Sequence, residues 1–137
     1  MEIREATAAD YDELSRLLTQ LHSEELGAFH PDRVRHGNRS FLAVADGEIV
    51  GFLLGAFIDY GIRSEGGGTI EQLVVDAGHR GRGIGEGLVE EWKQWLQGEG
   101  LGFGFVSTTE ELGAQGFYER CGFRPCVGPW LFWSVTR

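Results

Sequence analysis

Glycine and arginine alternate in one short segment, Arg80-Gly81-Arg82-Gly83-Ile84-Gly85, which lies between an apolar run and an amphipathic stretch. Because glycine has no Cβ, a ligand can approach the backbone of such a segment closely. The first N–H groups of a following helix have no partner within that helix and carry partial positive charge. A strand, this loop and a helix in succession therefore predict a site for a phosphate or diphosphate, to which Arg80 and Arg82 add positive charge.

Two common phosphate-binding loops do not fit this segment. A Walker loop needs Gly-x-x-x-x-Gly-Lys-[Ser/Thr], and the chain contains no Gly-Lys pair. A Rossmann loop needs Gly-x-Gly-x-x-Gly, and counting from Gly81 or Gly83 places Glu86 or Leu88 where the last glycine should be. The segment therefore belongs to another kind of anion-binding loop.

The rest of the sequence predicts the elements that must hold this loop. Apolar residues at helical spacing indicate helices over residues 7–26, 84–97 and 110–121. Asp46-Gly47 predicts a tight hairpin turn, and residues 60–68 read as a glycine-rich loop. Apolar and β-branched runs indicate strands over residues 3–5, 41–45, 48–59, 69–75, 101–106, 123–127 and 130–136. This order predicts one α/β domain over residues 1–137, with a mixed sheet and helices inserted between the strands.

Two sequence blocks resemble a known family. Arg80-x-x-Gly83-x-Gly85 is similar to the acetyl-coenzyme A loop of the GNAT superfamily of N-acetyltransferases, [Gln/Arg]-x-x-Gly-x-[Gly/Ala], and the preceding Leu73-Val74-Val75-Asp76 fits as well. A second block, Ala114-Gln115-Gly116-Phe117-Tyr118-Glu119-Arg120-Cys121-Gly122-Phe123, resembles the family's Ala-x-x-Phe-Tyr-x-x-x-Gly-Phe. The two blocks occur in the family's order and at its separation, and the element order extends the resemblance over essentially the whole chain.

The resemblance implies a mostly antiparallel sheet with helices on both faces, in which the strand at 69–75 splays from its parallel neighbour at 101–106. It implies that acetyl-coenzyme A is the acyl donor. Its diphosphate would be bound by backbone N–H groups of Arg80 to Gly85. Leu73, Val74 and Val75 would hydrogen-bond the pantetheine arm as an added strand does, with an N–H near Val74 or Val75 facing the thioester oxygen.

The resemblance also implies a role for the Tyr118 phenol and a direct transfer of the acetyl group to the amine. Tyr118 would contact the cofactor and act as the general acid, since a phenol with pKa of about 10 can protonate a leaving thiolate. The alternative is a core tyrosine that packs with Phe117 and Phe123. Transfer would proceed without an acyl-enzyme, and no neighbouring base marks Cys121 or Cys126 as a nucleophile.

Glu71 is the candidate general base. It is the only acid in an apolar strand, and alternation places it on the face of Leu73 and Val75. A partly buried carboxylate has a raised pKa and could take a proton from an ammonium group through water. The alternative is an edge or ion-paired acid. Other acids could serve instead: Glu24, Glu25, Asp59 and Glu65.

The chain departs from the family pattern just before the second block. Many members have an asparagine there that contacts the cofactor arm, whereas Glu111 lies nearest to that position here. A hydroxyl of Thr108 or Thr109 could replace it. The stretch 107–111 also lacks the arginine of members that acetylate peptide α-amines, which favours a small amine as acceptor.

Composition excludes several classes of partner. The 137 residues include 21 acidic and 12 basic ones, a formal net charge of −9. Such a chain is a poor ligand for nucleic acid or an anionic membrane, but it attracts a cationic substrate.

The four histidines and two cysteines lack metal-ligand spacing, so no metal site is expected. The N-terminal residues have no leader pattern and the longest apolar run, 49–58, is too short for a bilayer, which predicts a cytoplasmic protein with reduced thiols.

Together these observations predict an acetyl-coenzyme A-dependent N-acetyltransferase that acts on the primary amine of a small, cationic molecule. Two alternatives stay open: an acetyltransferase for protein or peptide amines, and an acyl-coenzyme A-binding module without turnover that serves as a sensor. Homodimers are common in the family, so the resemblance also allows one here. Residues 22–39 and 59–68, which carry no motif, are expected to determine the acceptor.

Overall fold

A computed structural model describes residues 1–18, 20, 38–59, 66–107, 113–126, 133 and 135. Its backbone contacts divide the chain into two units, residues 1–107 and 108–137. The first unit holds one sheet, whose strands follow chain order: β1 (Glu2–Glu5), β2 (Arg39–Ala45), β3 (Glu48–Asp59), β4 (Gly66–Val75) and β5 (Gly104–Val106). The helices are α1 (Tyr11–Leu18) and α2 (Ile84–Gly98) in the first unit and α3 (Gln115–Arg120) in the second.

The sheet is mixed, and its two faces are covered by different helices. Strands β1 to β4 pair antiparallel, and β4 pairs with β5 in parallel. On one face, Leu14 and Leu17 of α1 pack with Phe52 and Val74 in a buried cluster. On the other face, side chains of α2 approach Gly51 and Gly55 of β3 closely. This confirms the predicted mixed α/β sheet with helices on both faces.

Local sequence signals account for the start of α1 and for the hairpin. A turn of 3-10 helix over Ala8–Asp10 precedes α1, and the buried Asp10 carboxylate accepts the Thr7 N–H at 2.8 Å. Arg4 donates to both oxygens of Asp10 at 2.9 Å and holds the pKa of that carboxyl well below its usual range. Asp46 and Gly47 have φ values of 52° and 78°, as a two-residue hairpin turn requires. The predicted helix start and hairpin are thus confirmed.

Several predicted elements differ from the structure. Gly66 to Gly68 belong to β4 and not to a loop, because Leu96 and Phe103 occupy the space that Cβ atoms at Gly68 and Gly67 would need. Strand β5 begins at Gly104 instead of 101. Residues 123–126 form no strand, and the Phe123 N–H bonds to the Tyr118 carbonyl at the end of α3. The helix predicted over 110–121 begins only at Gln115, since Gly113 lies in a turn and Ala114 is the N-cap. Residues 110–112 and most of the predicted strand at 130–136 lie outside the described residues.

The indole of Trp92 lies across the point where β4 and β5 separate. The two strands pair only from Gly68 to Ile70, and β4 then continues to Val75 without β5. Trp92 Nε1 donates to the Thr69 carbonyl at 3.0 Å. A Cβ at Gly55 or Gly104 would lie 2.8 or 2.5 Å from this indole. One side chain therefore contacts three strands at the splay, and glycine on two of them makes room for it.

Replacing Trp92 by Phe tests this contact, and Trp95→Phe is the matched control one turn along α2. Trp95 Nε1 is buried without a hydrogen-bond partner among the described residues. Trp92→Phe removes the donor to the Thr69 carbonyl, so we expect it to lower the free energy of unfolding by roughly 1–3 kcal/mol more than Trp95→Phe. Urea unfolding measures both, and equal losses would contradict the role given to the Trp92 N–H.

Candidate functional site

A β-bulge in β4 determines where the Glu71 side chain points. Gln72 pairs with Leu54 and Ile70 with Gly55, so Glu71 between them has no partner on β3. An extra residue reverses the alternation of side chains along a strand. Val74 accordingly belongs to the cluster under α1. Ile70, by contrast, lies opposite Gly55, which faces α2.

The bulge overturns two expectations for Glu71. Its side chain lies on the face of Thr69, whose hydroxyl donates to the Glu71 carboxylate, and not on the face of Leu73 and Val75. Simple alternation failed here because it assumes an unbroken strand. The side chain is also exposed instead of partly buried. Glu71 therefore stands next to the splay point as an accessible carboxylate.

Among the described residues, the last part of β4 has a strand partner on one edge only. Leu73, Val74 and Val75 pair with Leu53, Phe52 and Gly51 of β3. On the opposite side β5 ends at Val106, level with Ile70, and no other described segment pairs with this part of β4. Alternate backbone groups of a strand point to each side, so this edge can receive an extended ligand as an added strand would.

The loop after β4 is held by Asp76. The Asp76 N–H donates to the Val50 carbonyl at 2.8 Å. The Asp76 carboxylate accepts the side-chain amide of Gln20 at 2.8 Å, His79 Nδ1 at 2.7 Å and the Gly78 N–H at 3.1 Å. The hydrogen bonds from Gln20 and His79 keep the pKa of this carboxyl below its usual range, so it is ionised near neutral pH. An ionised carboxylate forms stronger hydrogen bonds than a neutral one, which suits a group that accepts from three donors.

The turn into α2 leaves a row of backbone donors open. Gly81 and Gly83 have φ values of 79° and 82°, and Gly83 is the N-cap of α2. The first helical bond runs from the Gly87 N–H to the Gly83 carbonyl at 3.0 Å. Nothing in the described part of the chain accepts the N–H groups of residues 82–86. Space for Cβ atoms exists at both glycines, so they are required for their left-handed conformation.

These donors fit an anionic group. Arg82 is exposed beside them, and Arg80 directs its Nε to the Val75 carbonyl at 3.1 Å, which places this guanidinium at the end of β4. Ile84 and Gly85 are buried and fix the first turn of α2. Five consecutive amides, a helix N-terminus and an exposed cation form a donor set suited to a diphosphate. Among the described residues no cluster of His, Cys, Asp and Glu could hold a metal ion.

Tyr118 belongs to α3, in the second unit. It is buried and makes edge contacts with Phe117 and Phe123, at ring-centroid distances of 5.1 and 5.5 Å. Burial, with a smaller contribution from the Cys121 thiol, raises the pKa of Tyr118 to about 12. Gly122, with a φ of 94°, ends the helix. The expected aromatic packing is present, and the phenol stays protonated across the range of ordinary assays.

Several candidates cannot be placed. The side chain of Asp59 lies outside the described part of β3, and six other candidates lie outside the described residues altogether: Glu24, Glu25, Glu65, Thr108, Thr109 and Glu111. No local pattern in the sequence marks Gln20 as a site residue, because nothing local connects it with a loop 56 residues away. The residue type at Asp76 only weakly indicates its role in the loop, since Asp commonly begins a turn.

The sequence also matches a known protein family. The chain matches the model of the Acetyltransferase (GNAT) family over residues 3–123. The chain belongs to this family. GNAT acetyltransferases use acetyl-coenzyme A, which carries a diphosphate.

Curated relatives match over part of their length. Glucosamine 6-phosphate N-acetyltransferase 1 of Oryza sativa subsp. japonica is 43% identical over 56 residues, 41% of this chain and 33% of the relative. Streptothricin acetyltransferase of Streptomyces lavendulae is 34% identical over 91 residues, 65% of this chain and 46% of the relative. The chain thus spans about a third to a half of the curated relatives it matches.

Solved structures share the fold along their whole length. An aminoglycoside acetyltransferase from an uncultured soil metagenomic sample, in complex with sisomicin, has a TM-score of 0.82 at 18% identity, covering 99% of this chain and 96% of that one. Aminoglycoside 6′-N-acetyltransferase of Acinetobacter haemolyticus has a TM-score of 0.79 at 16% identity, with both chains fully covered. At such identities the likeness establishes the fold.

Gly83→Ala tests the turn, with Gly98→Ala at the other end of α2 as the control. Alanine at φ of 82° is strained, so the turn relaxes and its N–H groups rotate away. Returning the N–H groups to their binding orientation costs roughly 1–2 kcal/mol, which weakens coenzyme A affinity roughly five- to thirty-fold. Gly98→Ala should leave affinity unchanged and stabilise α2. Calorimetric titration measures both, and equal affinities in the two variants would contradict the assignment of the turn.

Proposed function

We propose that the protein is an acetyl-coenzyme A-dependent N-acetyltransferase for the primary amine of a small, cationic molecule. The observation that carries the proposal is the row of open amides at residues 82–86, beside an unpaired edge of β4, in a chain of the GNAT family. Acetyl-coenzyme A would supply the acetyl group as a thioester. Relatives named for streptothricin and glucosamine 6-phosphate support a small amine as acceptor. The net charge of −9 supports a cationic one.

The backbone would hold the donor in two places. The open N–H groups of residues 82–86, together with that of Gly81 and the side chains of Arg80 and Arg82, would bind the diphosphate. The open edge at Leu73, Val74 and Val75 would bind the pantetheine arm. An N–H near Val74 or Val75 would donate to the thioester oxygen and stabilise the negative charge that develops there.

Glu71 would remove the proton from the acceptor. An ammonium group is not nucleophilic, so it must lose a proton before its nitrogen bonds to the acetyl carbon. Glu71 is exposed at the splay, and Thr69 orients its carboxylate. An exposed carboxylate can take this proton through a bridging water.

Tyr118 would return a proton to the sulfur as the carbon–sulfur bond breaks. An ordinary thiol has pKa of about 8.5, whereas burial raises the pKa of Tyr118 to about 12. The phenol is therefore the weaker acid, so it would donate a hydrogen bond to the sulfur as negative charge builds there. Once its proton passes to the sulfur, the phenolate would take up the second proton that the nitrogen loses on becoming an amide. The family's second sequence block, which contains Tyr118, supports this role.

A cytoplasmic location is part of the proposal. Both cysteines, Cys121 and Cys126, are free thiols, which suits a reducing compartment. None of the helices in the described ranges is long and apolar enough to cross a membrane.

Coenzyme A titration and a thiol-release assay together test the function. We expect coenzyme A to bind and acetyl-coenzyme A to release thiol with aminoglycosides, streptothricin or amino sugars. Thiol release with peptide N-termini alone would favour the peptide acetyltransferase. Coenzyme A binding without release on any amine would favour the sensor module, and no binding would overturn all three hypotheses.

Tyr118→Phe is expected to lower kcat roughly 10²–10⁴-fold, because it removes the general acid. Tyr11→Phe is the control, since it removes a phenol from α1. A pKa of about 12 also keeps Tyr118 protonated, so the wild-type rate should not fall up to pH 10 through its ionisation. Steady-state rates across pH check both points, and an unchanged kcat in Tyr118→Phe would exclude the acid role.

Glu71→Gln is expected to lower the rate roughly 10²-fold near pH 7, because the amide cannot accept the ammonium proton. The loss should shrink at high pH, where the amine is neutral without help. Glu90→Gln, an exposed acid of α2, is the control. A Glu71→Gln enzyme with the wild-type rate and pH profile would assign the base to another group.

A further inference from the structure

Gln20, just beyond α1, contacts the diphosphate loop (residues 76–83) at two points. Its Nε2 donates to Asp76 Oδ1 at 2.8 Å, and its Oε1 accepts the Ala77 N–H at 2.9 Å. A single amide side chain thus satisfies one acceptor and one donor of the loop. These contacts tie α1 to a segment 56 residues further along the chain.

Asp76 also connects the loop to β3. The register of β2 and β3 shifts between Ala43 and Val44, which leaves Val50 as an extra residue in β3. The Val50 carbonyl accepts the Asp76 N–H at 2.8 Å. The second carboxylate oxygen of Asp76 accepts His79 Nδ1 and the Gly78 N–H. Asp76 is therefore the junction of α1, β3 and the loop.

No apolar side chain anchors the diphosphate loop to the core. Between Asp76 and the buried Ile84, only His79 is half-buried, and the other residues are exposed. Packing therefore cannot orient this segment. Its orientation depends on the hydrogen bonds at Asp76 and Ala77, on the hydrogen bond from Arg80 to the Val75 carbonyl and on the start of α2. Gln20 makes two of these hydrogen bonds.

We propose that Gln20 is a positioning residue that, with Asp76, clamps α1 to the diphosphate loop and holds the amides of residues 82–86 ready for the diphosphate. The inference rests on the proposed function. Because linkage is reciprocal, a change that loosens the contact of Gln20 with the loop also weakens coenzyme A binding, and bound coenzyme A in turn stabilises that contact.

Gln20→Ala tests the clamp in the full chain. We expect coenzyme A affinity to fall about ten-fold, as loss of two hydrogen bonds predicts. The KM for acetyl-coenzyme A should rise, with kcat nearly unchanged and the melting temperature of the free protein within a few degrees. The control is Gln94→Ala, an exposed glutamine of α2, which should change none of these.

A donor–acceptor exchange makes the test specific. Gln20→Glu alone removes the donor to Asp76 and adds repulsion, so affinity should fall at least as far as in Gln20→Ala. Combining it with Asp76→Asn lets the amide introduced at position 76 donate to the carboxylate introduced at position 20. The amide oxygen at 76 can still accept from His79 and Gly78. We expect the double variant to bind more tightly than Gln20→Glu.

Two readouts separate this inference from the proposed function. Amide hydrogen exchange over residues 77–86 of the free protein should accelerate in Gln20→Ala and not in Gln94→Ala. Wild-type protein that binds no coenzyme A would overturn the proposed function. If the wild-type protein binds coenzyme A, any one of three results would overturn the clamp. These are an equal coenzyme A affinity in Gln20→Ala, an unaltered rate of amide exchange in Gln20→Ala, and no recovery of affinity in the double variant.

Discussion

Unpaired backbone N–H groups where β4 passes into α2 are the feature on which the candidate site depends. A helix must begin with donors that have no internal partner, and a capping side chain commonly satisfies one of them. Here the N-cap is Gly83, in a left-handed conformation, which has no side chain to offer. The donors therefore remain available to a ligand, and buried Ile84 and Gly85 keep them in place.

Irregularities of the sheet position the other parts of the site. The extra residue in β4 exposes Glu71, and the extra residue in β3 presents the Val50 carbonyl to Asp76. Within the described ranges, the short β5 leaves one edge of β4 without a strand partner. The site therefore exists where strand pairing fails, and Trp92 compensates at the splay by donating to the Thr69 carbonyl.

Local patterns predicted most of the fold. The hairpin at Asp46-Gly47, the bounds of α2 and the loop between β4 and α2 follow from turn chemistry and helical periodicity, which act over a few residues. Where prediction failed, as at Gly66 to Gly68, a distant residue decided the outcome: the rings and methyl groups of Phe103 and Leu96 take the space of the missing Cβ atoms. A glycine run reads as a loop unless that neighbour is known.

The sequence by itself determined the family, the glycine turn before α2 and the types of residue present, because motif spacing and glycine conformation are properties of a local segment. Only the tertiary structure decided which face Glu71 occupies and that Gln20 meets Asp76 and Ala77. A bulge depends on the register between two strands, and a contact across 56 residues depends on how α1 packs on the sheet. Neither is encoded in the spacing of neighbouring residues, since both arise from the alignment of distant segments around a shared core.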